Sequence, residues 1–128
     1  MKIEIPVSVG ELVDKLTILR IKAFEVVDKN KLAAIENEKE FLEQIVGERL
    51  EWDDKLAGLQ EQLSEVNVAL WQVEDELRDL ERQKQFSNRF IELARNVYKL
   101  NDRRFVLKDT ISSYAGSEIR EAKSYAAY

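Results

Sequence analysis

Apolar residues recur at Val9, Leu12, Leu16, Leu19, Ala23 and Val26, three or four positions apart, which is one face of an amphipathic helix. Just ahead of it, Ser8 is placed as an N-cap with Glu11 three residues on to complete a capping box. Val7 and Leu12 stand at the two positions of a hydrophobic staple. The run Asp28–Asn30 interrupts the pattern, and Asn30 is positioned to cap a second helix carrying Leu32, Ile35, Leu42 and Ile45. The third helix is the most regular: Leu56, Leu59, Leu63, Val66, Leu70, Val73, Leu77 and Leu80 alternate spacings of three and four, and Trp52 extends the series back by one step. After residues 83–86, Ser87 is placed to cap a fourth helix, with Phe86 and Ile91 as a staple. Its seam reads Phe90, Leu93, Val97, Leu100, Arg104, Leu107, Ile111 and Tyr114, and Gly116 is a natural stop. Residues 117–128 have room for one more short helix. Ile3, Ile5 and Val7 alternate with polar residues or Pro6 and read as a short extended N-terminal arm.

The phase of the third helix continues backward through Ile45 and Leu42. An unbroken helix over 31–82 would be about 78 Å long at about 1.5 Å per residue, against a radius of gyration of only about 14 Å for a compact domain of this length. A turn near Gly47 is therefore expected, where glycine weakens the helix. The third and fourth helices, each roughly 40–48 Å long, are joined by a short polar link and should form an antiparallel, coiled-coil-like hairpin. The first two helices should cover much of one side of it. An apolar stripe would remain bare for a second chain, which points to a homodimer. The expected fold is thus an all-α antiparallel bundle, a single domain over residues 1–128.

Composition narrows the chemistry. With 45% apolar residues, one proline and four glycines, the chain is neither disordered nor all-β. It has no cysteine and no histidine, which removes disulfides, thiol nucleophiles, imidazole bases and zinc sites of nitrogen and sulfur ligands. No E-x-x-H pair is present, so a ferritin-like di-iron centre is excluded, and no metal or cofactor is expected. The net charge of −5 argues against a nucleic-acid partner. That average conceals two blocks: residues 36–54 hold eight acidic and two basic residues, and residues 82–108 hold eight basic and two acidic. Opposite blocks of this kind are either solvated faces or surfaces that pair, within one chain or between two. Uncharged runs such as Val66–Val73 are too short to span a membrane, and a cytoplasmic location is the default expectation.

A few polar residues break the pattern. Arg104 sits on the seam of the fourth helix, where a buried guanidinium needs a partner, and Asn101 and Lys108 share its face. Two readings stay open: a structural ion pair with a carboxylate of a facing helix, or a fork of donors for a bound carboxylate or phosphate. Asn67, Trp71, Glu74 and Arg78 form a second stripe beside the leucine seam of the third helix, adjoined by Asp75. A tryptophan so flanked is either a packing residue beside i,i+4 charge pairs or a stacking platform for a sugar. On the first helix, Asp14 and Lys15 read as solvent-facing, while Lys15 and Lys22 would need partners such as Glu74 and Asp75 if neighbours flank the helix on both sides. No catalytic residues are assigned, because the chain has no glycine-rich phosphate loop, no H-E-x-x-H and no G-x-S-x-G. The candidate ligand-binding set is Lys15, Lys22, Trp71, Glu74, Asp75, Arg78, Asn101, Arg104 and Lys108.

The segments Val7–Leu19 with Ile21-Lys22, Lys31–Ala33, Val66-Asn67, Leu70-Trp71, Glu74-Asp75 and Arg78 resemble the motifs of a small all-helical bacterial family of unknown function. The resemblance resumes at Phe90, Leu93–Arg95, Val97-Tyr98, Asn101–Arg103 and Lys108. It closes with Gly116–Ile119, Glu121, Lys123–Tyr125 and Tyr128. Arg20 departs from it, standing where an acidic residue is expected, and Phe105 and Val106 stand where smaller residues are usual. Members often lie near surface-polysaccharide or glycosyltransferase genes, so the resemblance implies an accessory role there without implying a reaction.

These features together point to a non-enzymatic interaction or accessory module, dimeric and with a possible protein partner. The alternative is a protein or enzyme that binds an anionic sugar or phosphate at a polar site inside the bundle.

Overall fold

The computed structural model describes residues 1–128. Four helices follow in order: α1 (Val9–Glu25), α2 (Lys29–Arg49), α3 (Asp54–Arg82) and α4 (Asn88–Ala115), with no strand. The all-α expectation is met, and three of the helices start where a side-chain oxygen meets amides that have no partner inside the helix. Ser8 Oγ accepts from Glu11 N at 3.1 Å, Asp28 Oδ1 from Lys31 N at 3.0 Å and Asp53 Oδ1 from Leu56 N at 2.8 Å. Each such cap stabilises a helix by about 1 kcal/mol.

Several ends differ from expectation. Asp28, not Asn30, caps α2, because Asn30 already lies in the first helical turn. Gly47 stays helical, and the chain turns at residues 50–53 instead, where Asp53 supplies the next cap. Ser87 occupies the N-cap of α4 without a side-chain bond, and the Phe86 ring meets Phe90 edge-on at 5.2 Å, while Phe86 and Ile91 are both exposed. Gly116 does end α4, at φ 71°, a conformation that favours glycine. Residues 117–128 then form no helix.

α3 and α4 make the antiparallel hairpin. Arg89 Nη2 bonds Glu76 Oε2 at 2.8 Å near the turn, and the Tyr114 hydroxyl donates to Asp53 at the open end. α1 lies against the open-end half, burying Leu12, Val13, Leu16 and Leu19. Val13 joins Leu56, Leu59, Leu63 and Ile111 in the core, each such side chain contributing about 1.5–3 kcal/mol on burial. The leucine seam of α3 is accordingly buried through Leu56, Leu59, Leu63, Val66 and Val73, whereas Leu70, Leu77 and Leu80 are only half-buried. α2 does not cover the hairpin as expected. With α1 occupying that side, α2 packs on α1 alone, through ion pairs Lys15–Glu38 at 3.1 Å and Arg20–Glu43 at 3.6 Å, and none of its residues is buried.

Candidate functional site

The most elaborate polar chemistry lies where α1 crosses α4. α1 carries Val9, Leu12, Val13, Leu16, Ile18, Leu19 and Ile21, too many apolar residues for a single face, so it is enclosed between α2 and the hairpin. The crossing is close: a Cβ on Gly10 would stand 2.1 Å from the Lys108 carbonyl oxygen. Gly10 N donates to Ser112 Oγ at 2.8 Å and Val9 N to Ser117 Oγ at 3.1 Å. With Ser8 on Glu11 N, three amides of the first turn of α1 are therefore satisfied by serines from both ends of the sequence.

One turn further along α1, Asp14 points inward. It is 1% exposed, which corrects its reading as solvent-facing. Arg104 Nε donates to Asp14 Oδ1 at 2.9 Å and Nη2 to Oδ2 at 2.5 Å, a bidentate pair. Asn67 Nδ2 donates to the same Oδ1 at 2.9 Å and to Thr17 Oγ1 at 3.2 Å, while Thr17 Oγ1 donates to the Asp14 carbonyl at 2.6 Å. No buried side-chain polar atom lacks a partner. The Asp14 hydrogen bonds raise the guanidinium pKa of Arg104 above its usual range, against the opposing effect of burial. This arrangement ties α1, α3 and α4 together through one carboxylate.

A second cation sits beside it. Lys108 Nζ lies 2.7 Å from Glu11 Oε2 and 2.9 Å from Glu121 Oε2. Glu11 thus turns to α4 and leaves the capping box half made. Burial lowers the Lys108 pKa, but bonds to the two carboxylates outweigh it and the net shift is upward. Glu121 belongs to the C-terminal segment, which runs back along α4. Arg120 Nε bonds Asp109 Oδ1 at 3.0 Å, Lys123 pairs with Asp102, and the Tyr128 ring lies 5.0 Å from that of Tyr98. Between this strap and α4 is an open groove of about 940 Å3 whose lining includes Asn101, Arg104, Phe105, Lys108 and Tyr125.

Of the candidate set from the sequence, Asn101, Arg104 and Lys108 come together on that groove. Lys15 pairs with Glu38 of α2 instead of Glu74 or Asp75, and Lys22 is exposed near the far end of α1. Trp71 is half-buried, Glu74 pairs with Arg78 at 3.7 Å on its own helix, and Asp75 is exposed. Those four lie on α3 beyond Asn67, toward the hairpin turn, away from the groove lining. Asp14, Thr17, Asn67, Glu11 and Glu121 are polar residues of this crossing that the candidate set from the sequence lacks. For Asp14 and Thr17 the available signal was the excess of apolar residues around α1, which leaves no wet face for them.

The model of a family of unknown function, DUF6165, matches the chain over residues 1–128. The chain belongs to this DUF6165 family. No curated protein and no solved structure matches it. Within the DUF6165 chain, the segments that carried the resemblance supply Asp14, Asn67, Asn101, Lys108, Glu121 and Lys123, and the fold gathers these from three helices and the strap to the α1–α4 crossing.

Proposed function

We propose that this DUF6165 chain is a non-enzymatic helical interaction module that works as a homodimer. The observation that carries this reading is α2: twenty-one residues long, it packs on α1 alone and buries none of them. Phe41 and Ile45 on its surface are 45% and 42% exposed, and Phe24 and Val27 at the α1–α2 turn are 87% and 88% exposed. Helices in proteins draw most of their stability from packing an apolar face against a neighbour, and large apolar side chains left exposed on a helix so thinly packed favour an association site. An accessory role beside a surface-polysaccharide assembly enzyme in the cytoplasm is the setting that the family resemblance suggests. Light scattering coupled to size exclusion tests the core of the reading. It should return twice the 14.9 kDa chain mass, and a monomer at all concentrations overturns it.

A second reading has one observation in its favour: Asn101, Arg104 and Lys108 line the same groove as Phe105 and Tyr125. Its volume of about 940 Å3 is within the range of small-molecule sites. An anionic sugar or a phosphate would then bind there. A thermal-shift series with sugar phosphates checks it: a rise in melting temperature that disappears in Lys123→Ala, at a cation that also lines the groove, supports this reading, and no rise with any of them rejects it.

A further inference from the structure

Resting on the homodimer reading above, we infer that the acidic outer side of α2 of one chain seats on the basic groove between α3 and α4 of a second copy, and that the two copies exchange these contacts reciprocally. The groove has a volume of about 450 Å3, and its lining includes Val73, Leu93 and Leu100, with Lys99 and Arg103 among its cations. On α4 the ion pairs engage Arg89, Arg104 and Lys108, and neither Lys99 nor Arg103 takes part in one. The complementary surface is on α2. Glu40, Phe41, Ile45 and Glu48 share one half of its circumference at about 3.6 residues per turn. The carboxylates of α2 that form ion pairs within the chain are Glu36, Glu38 and Glu43, which leaves Glu40 and Glu48 to face outward. Each chain therefore carries an acidic ridge with an apolar crest and a basic furrow with an apolar floor. The two do not meet within one molecule, where α2 makes no contact with α3 or α4 of its own chain. A second copy supplies each surface with its complement. A two-fold axis uses both pairs at once and closes the assembly at two chains, since an isologous contact is self-complementary. Opposite charges set the register and the encounter rate, while Ile45 supplies the desolvated centre, joined by Phe41 as Lys2 Nζ, 5.3 Å from the centre of its ring, moves aside.

Two charge-reversed variants test this, Lys99→Glu/Arg103→Glu and Glu40→Lys/Glu48→Lys, with Glu61→Lys/Glu65→Lys on the exposed side of α3 as a control of equal charge change. All six side chains are solvent-exposed, so circular dichroism should match the wild type. In light scattering each of the first two variants alone should run as a monomer, because like charges then oppose one another at both contacts. An equimolar mixture of the two should return to dimer mass, since every contact in the mixed pair again joins opposite charges. The control should remain dimeric, and the wild-type dissociation constant should rise at least about tenfold from low to high salt as screening shortens the reach of these charges. A wild-type dimer whose mass neither groove nor ridge reversal changes overturns this interface and leaves the homodimer reading standing. A mixture that stays monomeric, or a control that also dissociates, overturns the interface as well. A wild type that is monomeric throughout overturns both.

Discussion

Asp14 and Arg104, ninety positions apart in the chain, form a bidentate ion pair with Nε–Oδ1 at 2.9 Å and Nη2–Oδ2 at 2.5 Å. The carboxylate is 1% exposed and the arginine side chain 28%, so the pair sits at the edge of the core with its acidic half fully enclosed. It ties the first helix to the last, alongside Gly10 N on Ser112 Oγ and Glu11 on Lys108.

Removing only the cation leaves a buried carboxylate with Asn67 as its one remaining side-chain donor. Breaking a pair of this kind is typically destabilising by about 3–5 kcal/mol, and the partial exposure of Arg104 reduces that to roughly 2–4 kcal/mol for Arg104→Leu. Urea unfolding at neutral pH gives the number. A double-mutant cycle with Asp14→Ala should return a coupling of at least about 1 kcal/mol, and additive losses would mean that the two side chains act independently.

Gly10 lets α1 approach the backbone of α4. A methyl group there would stand 2.1 Å from the Lys108 carbonyl oxygen and 2.8 Å from Ser112 Oγ, and the first of these is backbone that cannot swing aside. Gly10→Ala should therefore destabilise by about 1–3 kcal/mol or more, even though alanine is the better helix former. Ser112→Ala removes only the acceptor for Gly10 N and should cost about 1 kcal/mol. Equal melting temperatures for Gly10→Ala and wild type would contradict the close crossing.

Gly47 presents the opposite case. It lies inside α2, and a methyl group added there would meet nothing within 4 Å, so alanine adds helix propensity without a clash. Gly47→Ala should raise stability by roughly 0.5–1 kcal/mol. Calorimetry should show a higher melting temperature, and a fall would indicate that a turn near residue 47 is needed after all.

Stability should decline in strong alkali. The pKa values of Lys108 and Tyr114 are both raised in the fold: for Lys108 burial opposes the shift while Glu11 and Glu121 drive it, and for Tyr114 the hydrogen bond to Asp53 leads. A group whose folded pKa lies above its unfolded one binds its proton more tightly in the native state. The stability it contributes is complete below the unfolded pKa, about 10.4 for lysine and about 10 for tyrosine, and is lost as pH rises through the folded value. Asp53 is shifted downward by Tyr114 and by the Leu56 amide, so its contribution is lost at the other extreme, as pH falls through its folded value. Melting temperatures between pH 8 and pH 11.5 should drop less steeply in Lys108→Met than in wild type, and parallel profiles would refute the assignment to Lys108.

The helices themselves were legible in the chain, because each is set by contacts no more than four residues apart. The spacing of Leu56, Leu59, Leu63 and Val66 fixed the face that α3 buries, Ser8 the start of α1 and Gly116 the end of α4. The break between α2 and α3 was legible as a necessity but misplaced, since one glycine costs too little to stop a helix when Asp53 offers a cap a few residues later. Local rules could not determine which residue faces which across the bundle. Arg104 plainly needed a partner. That the partner is Asp14, ninety positions away, depends on how α1 lies against the hairpin, and that in turn on the absence of a side chain at Gly10. The same placement of α1 keeps α2 off the hairpin and sends Lys15 to Glu38 rather than Glu74. Periodicity records the direction in which each helix turns its apolar face, a property of one helix alone. The docking of those faces is a property of pairs, and only their three-dimensional packing, with every buried charge obliged to find its complement, selects among the pairings the pattern allows.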